Sequence, residues 1–226
     1  MTVTYSSTAP GRYSGVEIDD EFTAVGWQTA GHRVGRFRRS LSATEQEALA
    51  GGLHTARDAG VPPSAGGARR PGAVTERVRA DDLPDLAVTG DPPAGFAPLV
   101  DALRALLEDL AESPVAAVEL MVTGSPPRAA LHHVGDEPMA VRMADLTVRA
   151  TVFGPDSAIV DSATHAVDPP DVGDEIGPGW ALTLADDLGV PAVPTGGFAT
   201  VTVGRPELDV LGDGVLRPVE WGWMSE

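Results

Sequence analysis

Apolar positions along residues 1–113 alternate between a spacing of two and a spacing of three to four, whereas after Pro114 the helical spacing does not return. Short β-prone runs open the chain at Thr2–Tyr5 and Phe22–Trp27, and a third, His32–Ser40, sets Val34 and Phe37 among arginines. Ser42 stands three residues before Glu45, the spacing at which a hydroxyl and a carboxylate each satisfy an orphan amide at a helix start. The spacing predicts a helix over Ala43–Ala59, with Leu49, Leu53 and Ala56 as its apolar stripe, Gly51-Gly52 as a weak point and Gly60 as its stop. Residues 61–73 are rich in Pro and Gly and read as an exposed loop. Strands are expected again at Val74–Arg79 and Asp85–Thr89. A second helix opens at Asp91-Pro92 and carries Phe96, Leu99, Val100, Leu103, Leu106, Leu107 and Leu110 on one face.

Beyond Pro114 the segments 115–123, 128–134, 138–143, 146–154, 157–167, 180–185, 197–204 and 214–224 read as strands parted by Gly, Pro and Asp clusters. The expected organisation is an α+β domain over 1–113 (strands, helix, strands, helix), a β-sandwich over 115–206, and an extension strand within 207–226. The sandwich core is expected from Val118, Leu120, Leu131, Val141, Leu146, Val148, Val152, Ile159, Leu182, Leu184, Val201 and Val203.

The 226 residues carry 33 acidic and 16 basic side chains, for a formal charge of −17. All the basic residues are arginine, and neither lysine nor asparagine occurs, as in a chain from a high-G+C bacterium whose acidity is partly a matter of codon usage. Such a charge opposes binding to nucleic acid or to an anionic membrane, because phosphate affinity comes mainly from Lys and Arg. Zero cysteine removes disulfides, thiolate metal sites and cysteine nucleophiles. With no export-like start and no apolar run near the roughly 20 residues that span a bilayer, the expected location is the cytoplasm. The charge is uneven: residues 1–113 hold 16 acids and 11 arginines, residues 114–226 hold 17 acids and five.

No catalytic motif stands out. His32, His54, His132, His133 and His165 form no His-Glu-x-x-His pair, and no Gly-x-Ser-x-Gly elbow occurs. His132 and His133 are adjacent on a predicted strand, so they point to opposite faces and cannot share a metal. The acidic stretch Asp168–Glu175 lacks the alternating acids and central glycine of an EF-hand. The expectation is therefore a chain with no catalytic residues, no metal and no cofactor, and the interest moves to surfaces. Among Arg33, Arg36, Arg38 and Arg39, the pair Arg36 and Arg38 shares one strand face, either docking an acidic partner or pairing with this protein's own acids. At the other end, Val219, Trp221 and Trp223 share a face, so the two tryptophans either seal the seam between the halves or anchor a partner.

Two resemblances give these surfaces a context. The turn Gly135-Asp136-Glu137-Pro138, the pair 146–153 and 157–166, the step Gly177-Pro178-Gly179-Trp180 and the segment Gly196–Val203 resemble immunoglobulin-like sandwiches of the bacterial intracellular proteinase-inhibitor type. The capped helix start Ser42–Ala48, with the strand, Asp-Pro-Pro link and Leu-rich helix of Leu86–Leu110, is similar to emfourin, a cytoplasmic inhibitor of thermolysin-like metalloproteases. Arg12-Tyr13-Ser14-Gly15 stands where that family has paired glycines after an arginine, and no contact residues are carried over. The resemblance implies a non-enzymatic protein whose partner is a metalloprotease or serine protease. The alternative is a structural or assembly subunit of a larger complex.

Overall fold

The computed structural model describes residues 2–60, 73–81, 83–144, 146–168 and 173–225. The loop expected at 61–73 falls almost wholly outside them, as does the middle of the acidic stretch Asp168–Glu175. The fold is predominantly β, with about half the chain in strands and two helices among the described residues. In chain order the elements are β1 (Val3–Ala9), β2 (Arg12–Ile18), β3 (Thr23–Gln28), β4 (Ala30–Gly31), β5 (Arg33–Ser40), α1 (Ala43–Ala59), β6 (Thr75–Ala80), β7 (Leu86–Thr89) and α2 (Ala97–Leu110). They continue with β8 (Pro114–Thr123), β9 (Arg128–Gly135), β10 (Met139–Arg142), β11 (Thr147–Phe153) and β12 (Ile159–Ala166). The last are β13 (Glu175–Ile176), β14 (Ala181–Ala185), β15 (Phe198–Leu208) and β16 (Arg217–Met224).

The chain divides into two compact units. The first comprises 1–27 and 37–114, the second 28–36 and 115–226, so the segment 28–36 belongs with the C-terminal half, an exchange the sequence reading does not contain.

In the first unit the strand order is β5, β3, β2, β1, β6, β7, with residues 37–40 supplying its part of β5. The helix α1 runs over the span its capping box announces: Ser42 Oγ accepts from Glu45 N, and the Glu45 carboxylate accepts from Ser42 N at 2.7 Å. Gly52 is no mere weak point, for it is where α1 meets α2. A Cβ there would lie 2.8 Å from the Leu99 Cα. The start of α2 differs from expectation. Asp91-Pro92 lies ahead of a turn that starts at Pro93, closed by Phe96 N to Pro93 O at 2.7 Å, and the helix begins at Ala97 behind an uncapped Phe96 with a proline in its first positions. From there Leu99, Val100, Leu103, Leu106 and Leu110 are buried as their spacing requires.

The second unit has two antiparallel sheet regions. One has the order β14, β9, β8 and residues 33–36 of β5; the other runs β12, β11, β15, β16, with β10 and β13 continuing beside the C-terminal part of β15. The two-residue β4 joins β16 in parallel at Glu220 and Trp221, which puts 28–36 in contact with both sheets of its unit. Inward faces of both sheets meet in one core, to which β8 gives Val118 and Leu120, β9 Leu131, β11 Val148, β15 Val201 and Val203, and β16 Val219 and Trp221. Gly35 (φ +143°) lets its strand approach β8, for a Cβ there would stand 2.4 Å from Ala116 O.

Most of the expected core residues are buried, but two are not: Leu182 is half-buried and Ile159 is 61% exposed. Ile159 begins β12, which closes its sheet at one edge and has no neighbour on its outer side in that order.

Trp221 is fully buried, and its indole N–H donates to Val118 O at 2.8 Å, crossing from one sheet to the other. Trp221→Phe keeps most of the apolar volume but removes this hydrogen bond, so it is expected to lower unfolding free energy by about 0.5–1.5 kcal/mol. Trp221→Ala is expected to cost about 3–5 kcal/mol. Urea denaturation of the two variants checks both the size and the order of these losses.

Candidate functional site

The residues singled out from sequence end up in different settings. Trp221, expected at a seam or an anchor, is a core residue of the second unit and has no exposed surface to offer a partner. Trp223, opposite Val201, is half-buried against the same core. Arg36 donates to Glu137 Oε2 at 2.6 Å, and Arg33 donates to Glu119 Oε1 at 3.0 Å, both pairs lying within the second unit. Arg39, in the first unit, forks onto both oxygens of Glu45. That bidentate pair, with the hydrogen bonds from Ser42, holds the Glu45 carboxyl down to about 2. Arg38 is exposed on β5. Three of the four arginines thus engage this protein's own carboxylates.

The sequence reading passed over a buried polar network in the first unit. Tyr5 on β1 donates its hydroxyl to Glu76 Oε1 at 2.5 Å, and Arg104 on α2 grips the same carboxylate through Nε at 2.8 Å and Nη2 at 2.5 Å. Tyr5 is 2% and Glu76 7% exposed, while the Arg104 side chain, 39% exposed, reaches in from the surface, so the group ties sheet to helix at the edge of the core. Burial opposes ionisation of Glu76, but the hydrogen bonds from Arg104 and Tyr5 outweigh it and hold the carboxyl below its ordinary range. Burial and then the same carboxylate push the Tyr5 phenol above its range. The signal was present in Thr75–Ala80, where Glu76 alternates onto the same face as buried Val78.

The adjacent histidines point to opposite faces, as their spacing requires: His132 is half-buried, and His133 lies on the inward face of β9 at 7% exposure. Neither ring nitrogen of His133 makes a hydrogen bond of ordinary geometry; burial lowers its pKa, and the nearby Glu137 backbone raises it by less. Among the described residues no group of three or more His, Asp or Glu side chains is placed to hold a metal ion. No described helix is long and apolar enough to cross a membrane.

Two features remain open to a partner. In the first unit a shallow apolar groove of about 130 Å³ lies between α1 and α2, floored by Leu49, Ala102, Leu103 and Leu106 and edged by Glu45 and Asp109. In the second unit β12 is exposed along nearly its whole length, with Ile159 at 61% and Val160 at 56%. Among the described residues it pairs with β11 alone, from Thr147 opposite Ala166 to Phe153 opposite Ile159, with one bulge near Val152. The β11–β12 turn is held by Gly154 N to Ala158 O at 2.9 Å and by Asp156, which accepts from Ala158 N at 3.1 Å. Beside it Phe153 and Phe198 stack with centroids 4.6 Å apart. An eight-residue edge with no proline and no lysine presents an ordered row of main-chain donors and acceptors, which makes it a candidate docking edge.

Comparison with protein-family models, with curated proteins and with solved structures finds no match for the chain.

His133 gives a pH dependence whose sign is fixed. Its folded pKa lies below the unfolded value near 6.5, so the unfolded chain binds the extra proton first; the histidine's contribution is full above that value and falls as pH drops below it. Glu45 behaves likewise at lower pH, contributing above about 4.5 and losing that contribution as pH falls toward about 2. The urea midpoint is therefore expected to decline from pH 7 to 5, and His133→Leu is expected to flatten that decline while leaving the loss below pH 4.5 in place.

Proposed function

We propose that the chain is a non-enzymatic, cytoplasmic protein-binding protein and that its partner is a protease of the metallo or serine type. On this reading the second unit is an immunoglobulin-like sandwich and the first a small α+β layer. The two antiparallel sheets sharing one core support the former, and the helix pair beside β1 to β7 supports the latter. The observation that carries the function is the exposed edge strand β12, led by Ile159 and Val160. Proteases take substrates and inhibitors as extended chains held by main-chain hydrogen bonds, and an ordered strand with a free edge offers that shape without further ordering cost.

A second reading, a subunit of a larger assembly, is favoured by the apolar groove between α1 and α2, because a subunit touching more than one neighbour needs more than one contact surface. On either reading the chain needs no cofactor, and its charge of −17 keeps it from nucleic acid and anionic lipid.

Stoichiometric protein is expected to inhibit at least one enzyme in a panel of thermolysin-like and subtilisin-like proteases, and Ile159→Arg is expected to weaken that inhibition without lowering the melting temperature. Unchanged activity across the panel would count against the inhibitor reading. Light scattering separates the alternatives, an inhibitor being monomeric and an assembly subunit self-associating.

A further inference from the structure

We propose that the outer edge of β12 adds a strand from the protein partner, and that this strand is positively charged; the inference rests on the protein-binding reading above. The register fixes which groups face outward. Val167 N donates to Leu146 O at 2.9 Å, and Thr147 stands opposite Ala166. In an antiparallel ladder the bonded residues alternate, so Asp161, Ala163 and His165 turn their N–H and C=O toward β11, and Ser162, Thr164 and Ala166 turn theirs to the free side. Ser162 N fits this pattern, for it is met at 2.8 Å by the Asp161 carboxylate and not by a neighbouring strand. Thr164 and Ala166 then offer the main-chain pairs an added strand would use.

Charge selects the strand. Asp156 stands in the turn before β12 and Asp161 within it. Asp186 and Asp187 are exposed in the loop whose next residues reach β12, where Leu188 O lies 3.0 Å from the His165 ring and Gly189 packs beside it. Against these four carboxylates the facing side of β11 supplies Arg149, which donates to Ser162 Oγ at 3.2 Å. An extended segment carrying Lys or Arg at alternate positions would place cations beside the carboxylates while its main chain completes the ladder. A second copy of this chain is the poorer occupant, because self-pairing brings two such acidic sets together.

The test is titration of the full-length protein with a blocked synthetic peptide alternating lysine and valine and with its glutamate and valine counterpart, repeated on Thr164→Pro. Proline at a residue whose N–H faces outward leaves the β11 pairing intact and removes one donor from the free edge. The lysine peptide is expected to bind, more weakly as salt rises, and the glutamate peptide not to bind. Thr164→Pro is expected to bind about tenfold more weakly with its melting temperature kept. Should that variant not fold, hydrogen exchange on the wild type decides: the lysine peptide should slow the Thr164 and Ala166 amides. Equal binding of the two peptides, no binding of either, undiminished binding by a folded Thr164→Pro, or unslowed amides would each overturn the inference. If a protease is inhibited equally by wild type and by Thr164→Pro, the protein-binding reading stands and the edge is not its site.

Discussion

The two sheets of the second unit are aligned by a side-chain hydrogen bond across their apolar core, from the Trp221 indole to the Val118 carbonyl, set beside the main-chain join of β4 to β16. Two sheets that meet only through aliphatic side chains have no directional interaction to set their alignment, and volume alone tolerates sliding. A buried indole N–H that meets its acceptor in a single geometry supplies that direction, since left alone it would cost about 1–3 kcal/mol. Trp221 lies on β16 between β15 and β4, and Val118 lies on β8 opposite His133. The bond therefore helps fix the strands that bracket the core, and the edge strand β12 is built outward from them through β11 and β15.

The two units reach order by different means. The first places a carboxylate, a phenol and a guanidinium between sheet and helix, where breaking the group would leave Glu76 buried without its cation. The second uses apolar packing and one neutral bridge, and sends its charges outward: its 17 acids and seven arginines leave a net charge of −10, with Arg33 and Arg36 consumed by Glu119 and Glu137. The remaining acidity is what the proposed basic strand would meet, and it would raise the rate of that strand's arrival more than it tightened the final complex.

Local signals were legible from sequence and long-range ones were not. The helix α1 matched residue for residue because Ser42, Glu45 and Gly60 encode its ends in nearby contacts. The start of α2 was misplaced because Pro92 and Pro98 both fit a first helical position, and only the turn closed on Pro93 separates them. Alternation correctly set Val219 and Trp221 on an inward face but could not say which core they enter. Ile159 was assigned to that core because a period of two looks alike on a central strand and on an edge; what differs is whether a neighbour exists, and sequence spacing holds no such information. Placement of 28–36 in the second unit, and the meeting of Tyr5, Glu76 and Arg104, rest on contacts between residues far apart in the chain.

The central claim is that β12 is an ordered strand whose outer edge is open. Residue-resolved amide hydrogen exchange on the free protein tests it most directly. The account expects alternation: slow exchange at Ala163 and His165, whose amides bond β11, and rapid exchange at Thr164 and Ala166, whose amides face outward. Equal protection at all four amides would mean that the edge is covered, and rapid exchange at all four would mean that the strand is not formed; either result contradicts the account.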